Sequence, residues 1–491
     1  MTVAGVADIL NLDPYVGSSG LTSFYSSTDV NAPLLTVLKA GPTEPYLAES
    51  WKWLDPGNKI QFTIRKGAGF HNGKPVTADD VLFSVEKVRA PYSLAGYAQL
   101  QRWIKDAQAM DERTTVFTLT ETYALGWSTL GGLVTQPRHQ PYEQMQKTPV
   151  GAGPYRVVEW RPFESLTMEA SPYWWDANKV QVKTIVRLVV PEPESRLAML
   201  RAGQIDLMDD VQPRQGQELL KDARFRVKVS DALTQASIVF STDTPTILGT
   251  DIPNPFLDVR VRRAFIMALD RKAIFDGVAL GRYGFDVPGP YSRGGMGANT
   301  LEDKITPYKY DPQAARRLLE EATFPFEREW PVWVYRTSAG LAEAAEAAVA
   351  QWNAAGIKAR YRLTEVGTLV SYWGEQPSRT FPIQFIRSSV SNGEVSGYIW
   401  CTEALPECRL SQIGDTKLDN SAIKLRTAFE IAERQAIYEE IYRYLHEQAI
   451  TIPLMGGVQI HALSNRIDWD NVPGQGNTPH MWRTRWMPGY P

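Results

Sequence analysis

LAESWKWLDPGNKIQFTIRKGAGFHNGKPVTADDV, residues 47–81, decides how the first part of this chain must fold. Trp51 and Trp53 alternate with polar residues, the period of a strand with one apolar face. The DPGN run at residues 55–58 supplies a turn. Ile60, Phe62 and Ile64 then continue the alternation on a return strand. After a second turn at His71, Asn72, Gly73 and Lys74, Thr77 is placed to cap a helix. Asp79 and Asp80 stand in its first turn, where acidic side chains suit the positive end of the helix dipole. The stretch therefore reads as a hairpin leading into a helix start, and nothing in it is catalytic by itself.

The same two periods can be followed outward. Residues 2–37 read as a strand, a Ser/Gly-rich loop at 17–27 and a short helix. A helix is expected at 78–90 and a strand at 115–119. The GAGPY turn at 151–155 leads into strands at 156–160, 165–170 and 184–190. A helix at 193–202 stops at Gly203, and short strands follow at 205–208 and 227–229. Further on, an apolar strand at 237–241 precedes a segment with helical periodicity, in which Val261, Ala264, Phe265, Ala268 and Leu269 share a face. Asp311 caps a helix with Pro312 at its first position. A strand at 330–335, an Ala-rich helix at 341–355 and a strand at 358–363 form a βαβ-type half-domain. Residues 421–451 read mostly as one long helix, followed by a strand at 452–460. Strands separated by helices argue for α/β layers.

At 491 residues, the chain needs more than one core. Its net charge of −3 gives no footprint for nucleic acid or an anionic membrane. No apolar run approaches the roughly 20 residues that span a bilayer. The histidines (His71, His139, His446, His461, His480) are dispersed without ligand spacing, so neither a metal nor another cofactor is expected. The two cysteines, Cys401 and Cys408, are separated by only six residues and are expected to form a disulfide in an oxidising compartment. No GxSxG elbow, HExxH helix or phosphate-cradling glycine loop is present, and the acid pairs Asp79-Asp80 and Asp209-Asp210 show no partner base. An enzyme is not expected, and a hydrolase is the weakest alternative.

Six stretches, in order, resemble the peptide/nickel-type solute-binding proteins of ABC importers, family 5, the group of dipeptide- and oligopeptide-binding proteins. They are VAGVADILNLDP near the start, the stretch at 47–81, GAGPYRVVEWRPFESLTMEASPYWW, ESRLAMLRAGQIDLMDDV, PFLDVRVRRAFIMALDRKAI and DPQAARRLLEEA. The resemblance covers residues 3–465. It implies an α/β fold of the type II periplasmic binding protein kind, with two hinged lobes and an inserted domain. Lobe one would comprise 1–37, 156–238 and 459–491, the inserted domain 38–155, and lobe two 239–458, with hinge crossings near Phe240 and Gly457. It further implies a monomer that closes on a solute and docks on the transmembrane permease subunits, in the periplasm or cell envelope. A leader would have been removed, with Met1 supplied for expression.

The resemblance also points to ligand contacts. The loop after the first strand offers Ser19 and Tyr25. Arg336 stands where dipeptide-binding relatives place an arginine for the peptide carboxylate, and its planar fork suits an anionic group. The loop at 386–393 contributes Arg387, Ser388, Ser389, Ser391 and Asn392. Trp373, Tyr398 and Trp400 lie near it in sequence and are candidates to stack on a ring or alkyl chain. Each of these residues has a plainer reading as solvated loop, internal ion pair or core. In this loop, peptide-binding relatives carry an aspartate for the free α-amino group. Here the corresponding position is Val390 or Ser391, and the nearest acid is Glu394. A buried ammonium without a carboxylate partner is costly. An ordinary free-N-terminus peptide is therefore not the expected ligand. An oligosaccharide, a conjugate, a lipid-like solute and a peptide held through Glu394 remain open, as does a metal or haem complex.

Overall fold

The computed structural model describes residues 1–5, 11–15, 29–36, 44–90, 98–242, 244–247, 250–285, 289, 301, 304–335, 340–364, 382–391, 394–395, 415–469 and 480–490. The chain divides into two units, Met1–Ser230 with Ile460–Pro491, and Asp231–Gln459. It passes from one to the other twice, within the strands Phe225–Phe240 and Thr451–Ser464. The stretch 38–155 lies inside the first unit.

The first unit contains a mixed sheet. Strand Thr2–Gly5 runs parallel to Thr184–Val189 on one side and to Leu207–Met208 on the other. Tyr155–Arg161 and Ser165–Ala170 extend the sheet antiparallel beyond Thr184–Val189. A separate four-stranded antiparallel sheet is built from the expected hairpin, Ala48–Asp55 and Lys59–Ile64, with Thr114–Leu119 and Ile104–Ala109. Trp51 pairs with Phe62 and Trp53 with Ile60, and Ile60, Phe62 and Ile64 are fully buried. Burying each such side chain contributes about 1.5–3 kcal/mol. Helix Ala78–Val88 begins at Thr77 as its sequence predicts. The Asp80 carboxylate accepts from the Thr77 amide at 2.9 Å and from its hydroxyl at 2.8 Å, and from the Arg138 amide at 2.9 Å.

The second unit carries the βαβ element Trp330–Tyr335, Leu341–Ala354 and Ala359–Thr364, with the two strands parallel. Ile383–Ser391 lies parallel to Trp330–Tyr335 and antiparallel to Phe225–Phe240. An aromatic core of Phe240, Phe256, Phe265, Trp330 and Trp352 fills the space beneath, mostly in edge-to-face contacts. Trp352 satisfies its indole N–H on the Phe265 carbonyl at 2.9 Å. Val261, Ala264, Phe265, Ala268 and Leu269 are all buried, as their spacing predicts.

Four local expectations change. The periodic segment after residue 258 is two helices, Val259–Met267 and Arg271–Ala279, because Asp270 caps the second by accepting from the Ala273 amide at 2.9 Å. The long helix at 421–451 is also two, Thr416–Thr427 and Ile431–Glu447. The Arg434 guanidinium donates to the Leu425 and Ala428 carbonyls and so caps the end of the first. The strands expected at 227–229 and 237–241 are parts of the one strand Phe225–Phe240. In place of a short helix before residue 37, the chain forms the two-residue strands Ala32–Pro33 and Leu35–Thr36.

Candidate functional site

The segment read as a loop at 386–393 is mostly strand. Ile383–Ser391 carries Arg387, Ser388, Ser389 and Ser391, and its main chain is laddered to Phe225–Phe240, with Arg387 opposite Ala236, Ser388 opposite Gln235 and Ser389 opposite Thr234. It turns back on itself, pairing Val390 with Val395 and Ser391 with Glu394. The serine-rich run therefore tops a hairpin, and the acid nearest the departure point stands directly across from Ser391. Arg336 follows strand Trp330–Tyr335 in sequence. Arg336 itself, with Ser19, Tyr25, Trp373, Asn392, Tyr398, Trp400 and the pair Cys401 and Cys408, lies outside the described residues.

In the first unit, both flanks of residues 16–28 are held by buried polar groups. On the N-terminal flank, Lys87 reaches Asp13 at 2.5 Å, with both side chains buried, and Gln136 donates to the same carboxylate at 3.0 Å. The Tyr15 amide donates to Asp13 at 3.0 Å and its hydroxyl to the Val134 carbonyl. On the C-terminal flank, the buried Asp29 accepts from the Met481 amide at 3.2 Å. Burial pushes its carboxyl up to about 8, which keeps it largely protonated at neutral pH. Next to it, the Gly153 amide donates to the Val30 carbonyl at 2.9 Å. A Cβ at Gly151 would lie 1.9 Å from the Val30 carbonyl oxygen, and one at Gly153 2.6 Å from that of Asp29. The GAGPY motif is thus a steric requirement of this flank.

His71 ties that motif to the opening stretch. Its Nδ1 accepts from the Gly151 amide at 3.2 Å, and its Nε2 donates to the Gly153 carbonyl at 3.1 Å. Burial lowers its pKa to about 4. Both nitrogens are engaged in the neutral ring, so His71 is structural.

A further cluster, carried by no local sequence signal, stands at the end of the first strand. Asp209, read above as lacking a partner base, meets one 252 residues away in the chain, where the His461 Nδ1 donates to it at 2.9 Å. Arg187 approaches its other oxygen at 3.4 Å, and the Asp209 amide donates to the Ala4 carbonyl at 3.0 Å. The Arg187 guanidinium covers Gly5, where a Cβ would meet it at 2.5 Å. His461 is fully buried, which suits it to hold Asp209 rather than to exchange protons with a solute. Asp79 and Asp80 serve the helix start, Asp79 pairing with Arg138 at 2.7 Å. Among the described residues, no group of three or more His, Cys, Asp or Glu is placed to hold a metal, and no helix is long and apolar enough to cross a membrane.

Comparison with known proteins fits this geometry. The model of the bacterial extracellular solute-binding proteins, family 5, matches residues 43–402. Heme-binding protein A of Haemophilus influenzae is 26% identical over 91% of this chain and 85% of its own length. Probable di/tripeptide-binding protein 5 of Pseudomonas aeruginosa is 25% identical over 89% of this chain and 86% of its own. Among solved structures, the dipeptide-binding protein of Pseudoalteromonas sp. SM9913 in complex with Met-Leu superposes with a TM-score of 0.83 at 18% identity, covering 99% of this chain and 100% of that one. The fold is accordingly the mixed α/β fold of type II periplasmic binding proteins.

Proposed function

We propose, from the premise that this chain belongs to the bacterial extracellular solute-binding proteins of family 5, that it captures a solute other than an ordinary free-N-terminus peptide for an ABC importer. The family match across residues 43–402 carries the importer role. Position 390–391 carries the ligand class. Neither Val390 nor Ser391 supplies the carboxylate that an α-ammonium group requires, and desolvating that cation unpaired costs several kcal/mol. The serine-rich hairpin, with Arg336 following the neighbouring strand, suits hydroxylated or anionic groups. Lobe one, with the insertion at 38–155, and lobe two would close on the solute, hinging where the two long strands carry the chain between units. The protein would work outside the cytoplasm as a monomer, hand its solute unchanged to the transmembrane subunits, and perform no chemistry on it.

Peptide remains the second reading, because Glu394 pairs in register with Ser391 and is the acid nearest in sequence to the position where peptide-binding relatives carry an aspartate. Haem is a third, supported by the name of one relative. Native mass spectrometry of the purified protein, followed by a thermal-shift series with dipeptides, oligosaccharides and haemin, separates them. The proposal expects little or no shift with dipeptides. Dipeptides giving the largest shift would overturn it, and an absorption band with stoichiometric haemin would move the assignment to haem.

A further inference from the structure

In the first unit, Tyr155–Arg161 is an edge strand and forms a hairpin with Ser165–Ala170. The hairpin closes through Arg161, Pro162, Phe163 and Glu164, where the Glu164 amide donates to the Arg161 carbonyl at 3.0 Å. Proline at the second position and a positive φ at the third are the marks of a type II turn, whose third position suits glycine. Here that position is Phe163, at φ 64° and 71% exposed. A phenylalanine in the left-handed region is a steric outlier. Leu280, Thr323 and Ala449 share the positive φ, but they stand at helix C-termini, where a left-handed residue ends the helix. Asp210, also at positive φ, is short and polar. Phe163 ends no helix, and a ring so exposed adds little burial to the fold. Val158, at the register shift of the edge strand, is exposed beside it in the same hairpin.

Backbone strain held at an exposed aromatic points to function rather than to folding. We propose that Phe163 is an anchor by which the first unit docks into an apolar pocket on the transmembrane subunits of the importer. The inference rests on the importer reading given above. An aromatic anchor within a polar rim is the anatomy of an interface hot spot. The pairs Arg161–Glu159 at 2.8 Å and Arg156–Glu169 at 2.6 Å supply that rim along the hairpin. A bilayer is a poorer occupant. The hairpin sets Glu159, Glu164 and Glu169 against Arg156 and Arg161, so its charge does not favour an anionic surface, and one ring offers little apolar area to hold a protein on lipid. A second copy paired along the edge strand is opposed by the register shift between Val157 and Glu159 and by the charged side chains beside it.

Photo-crosslinking tests the anchor. The full chain carrying p-benzoylphenylalanine at position 163, or at the exposed position 54 as a control, is irradiated on envelope membranes of its source organism, and the captured partners are identified by mass spectrometry. A lysine-directed crosslinker on the wild-type chain reports docking by any face. Position 163 is expected to capture an ABC transmembrane subunit, and position 54 is not. Phe163→Gly relieves the turn and should melt at the wild-type temperature or up to about 2 °C above it. It should nevertheless give at least about fivefold less lysine cross-linking to that subunit, as expected on loss of a hot-spot side chain. Phe163→Tyr keeps the ring and should retain the cross-linking. Capture of lipid, of a second copy or of nothing from position 163, while the lysine reagent still reaches the subunit, overturns the anchor and leaves the importer reading standing. Equal capture from positions 163 and 54 does the same. No capture of a transmembrane subunit by either reagent overturns both. Phe163→Gly melting clearly below wild type also overturns the anchor, because the ring would then serve the fold.

Discussion

At the scale of single residues, the part-buried His71 and the buried Asp29 make stability depend on pH in opposite directions. His71 has a folded pKa of about 4 against an ordinary 6.5. Between those values the unfolded chain binds a proton that the folded one refuses. Stability is therefore full above about pH 6.5 and falls by about 1–3 kcal/mol as the pH drops towards 4. His71→Ala should lower stability at pH 7 by about 1–3 kcal/mol through loss of both bonds to the GAGPY turn, and should flatten that acid slope. Asp29 runs the other way. Its carboxyl is raised from 3.8 to about 8, so the folded state keeps a proton that the unfolded state releases. Its contribution is best below about pH 4 and is lost as the pH rises to 8. Asp29→Asn, which keeps the acceptor for the Met481 amide, should raise the melting temperature at pH 8 and leave it unchanged near pH 4. Urea titrations of both variants at pH 4, 5.5, 7 and 8.5 check the signs. Neither role is legible in sequence, because each depends on partners about 80 and 452 positions away.

At the scale of elements, legibility followed locality. The hairpin at 48–64, the cap at Thr77 and the helix start at Asp311 are set by neighbouring residues and stand where the sequence places them. Asp270 was an equally local signal, a capping residue inside an apolar period, and it marks the break between two helices. The break near Phe429 was not local in this sense, since it rests on a guanidinium reaching back from Arg434 to carbonyls of the preceding helix. The serine-rich run at 386–391 departs from the loop expected of it for a related reason. Its composition is that of a loop, but its main chain is laddered to a strand some 150 residues earlier. The glycines of the GAGPY turn offer a sharp test of an element-level constraint. A methyl group at Gly151 would overlap the Val30 carbonyl, which is backbone and cannot rotate away. Gly151→Ala should cost at least about 3 kcal/mol or abolish soluble expression. Gly203→Ala, which meets nothing within 4 Å but sits at φ +71°, should cost only about 1 kcal/mol. Chemical denaturation of the two variants side by side separates overlap from backbone strain.

At the scale of the whole molecule, two cores are strung on two strands, and each strand is secured within the first unit by polar contacts close to where it leaves. Arg226 and Lys228 fasten the strand Phe225–Phe240 to Asp468 and to the carbonyls of Ile467 and Trp469. His461 fastens the strand Thr451–Ser464 to Asp209 one residue after the crossing at Gln459 and Ile460. A chain with two cores need not unfold in one step, because each core has its own cooperativity. Removing the imidazole from the buried Asp209 strips it of a hydrogen bond, leaving Arg187 as a cationic neighbour. His461→Ala should therefore lower the stability of the first unit by about 2–4 kcal/mol, through an underpaired carboxylate and a cavity beside Trp469. The aromatic core around Phe265 and Trp352 shares no residue with this cluster. In calorimetry the variant should show a first transition displaced downward and a second near the wild-type temperature. Hydrogen exchange resolved by peptide should assign the early one to Thr184–Val189 and the late one to Leu341–Ala354. If the solute is gripped by both lobes as proposed, it binds only while both are folded, and saturating ligand should then draw the two transitions together. One transition that moves as a whole, with both segments exchanging in step, would show instead that the units fold as a single cooperative body, with the two strands transmitting stability between the cores.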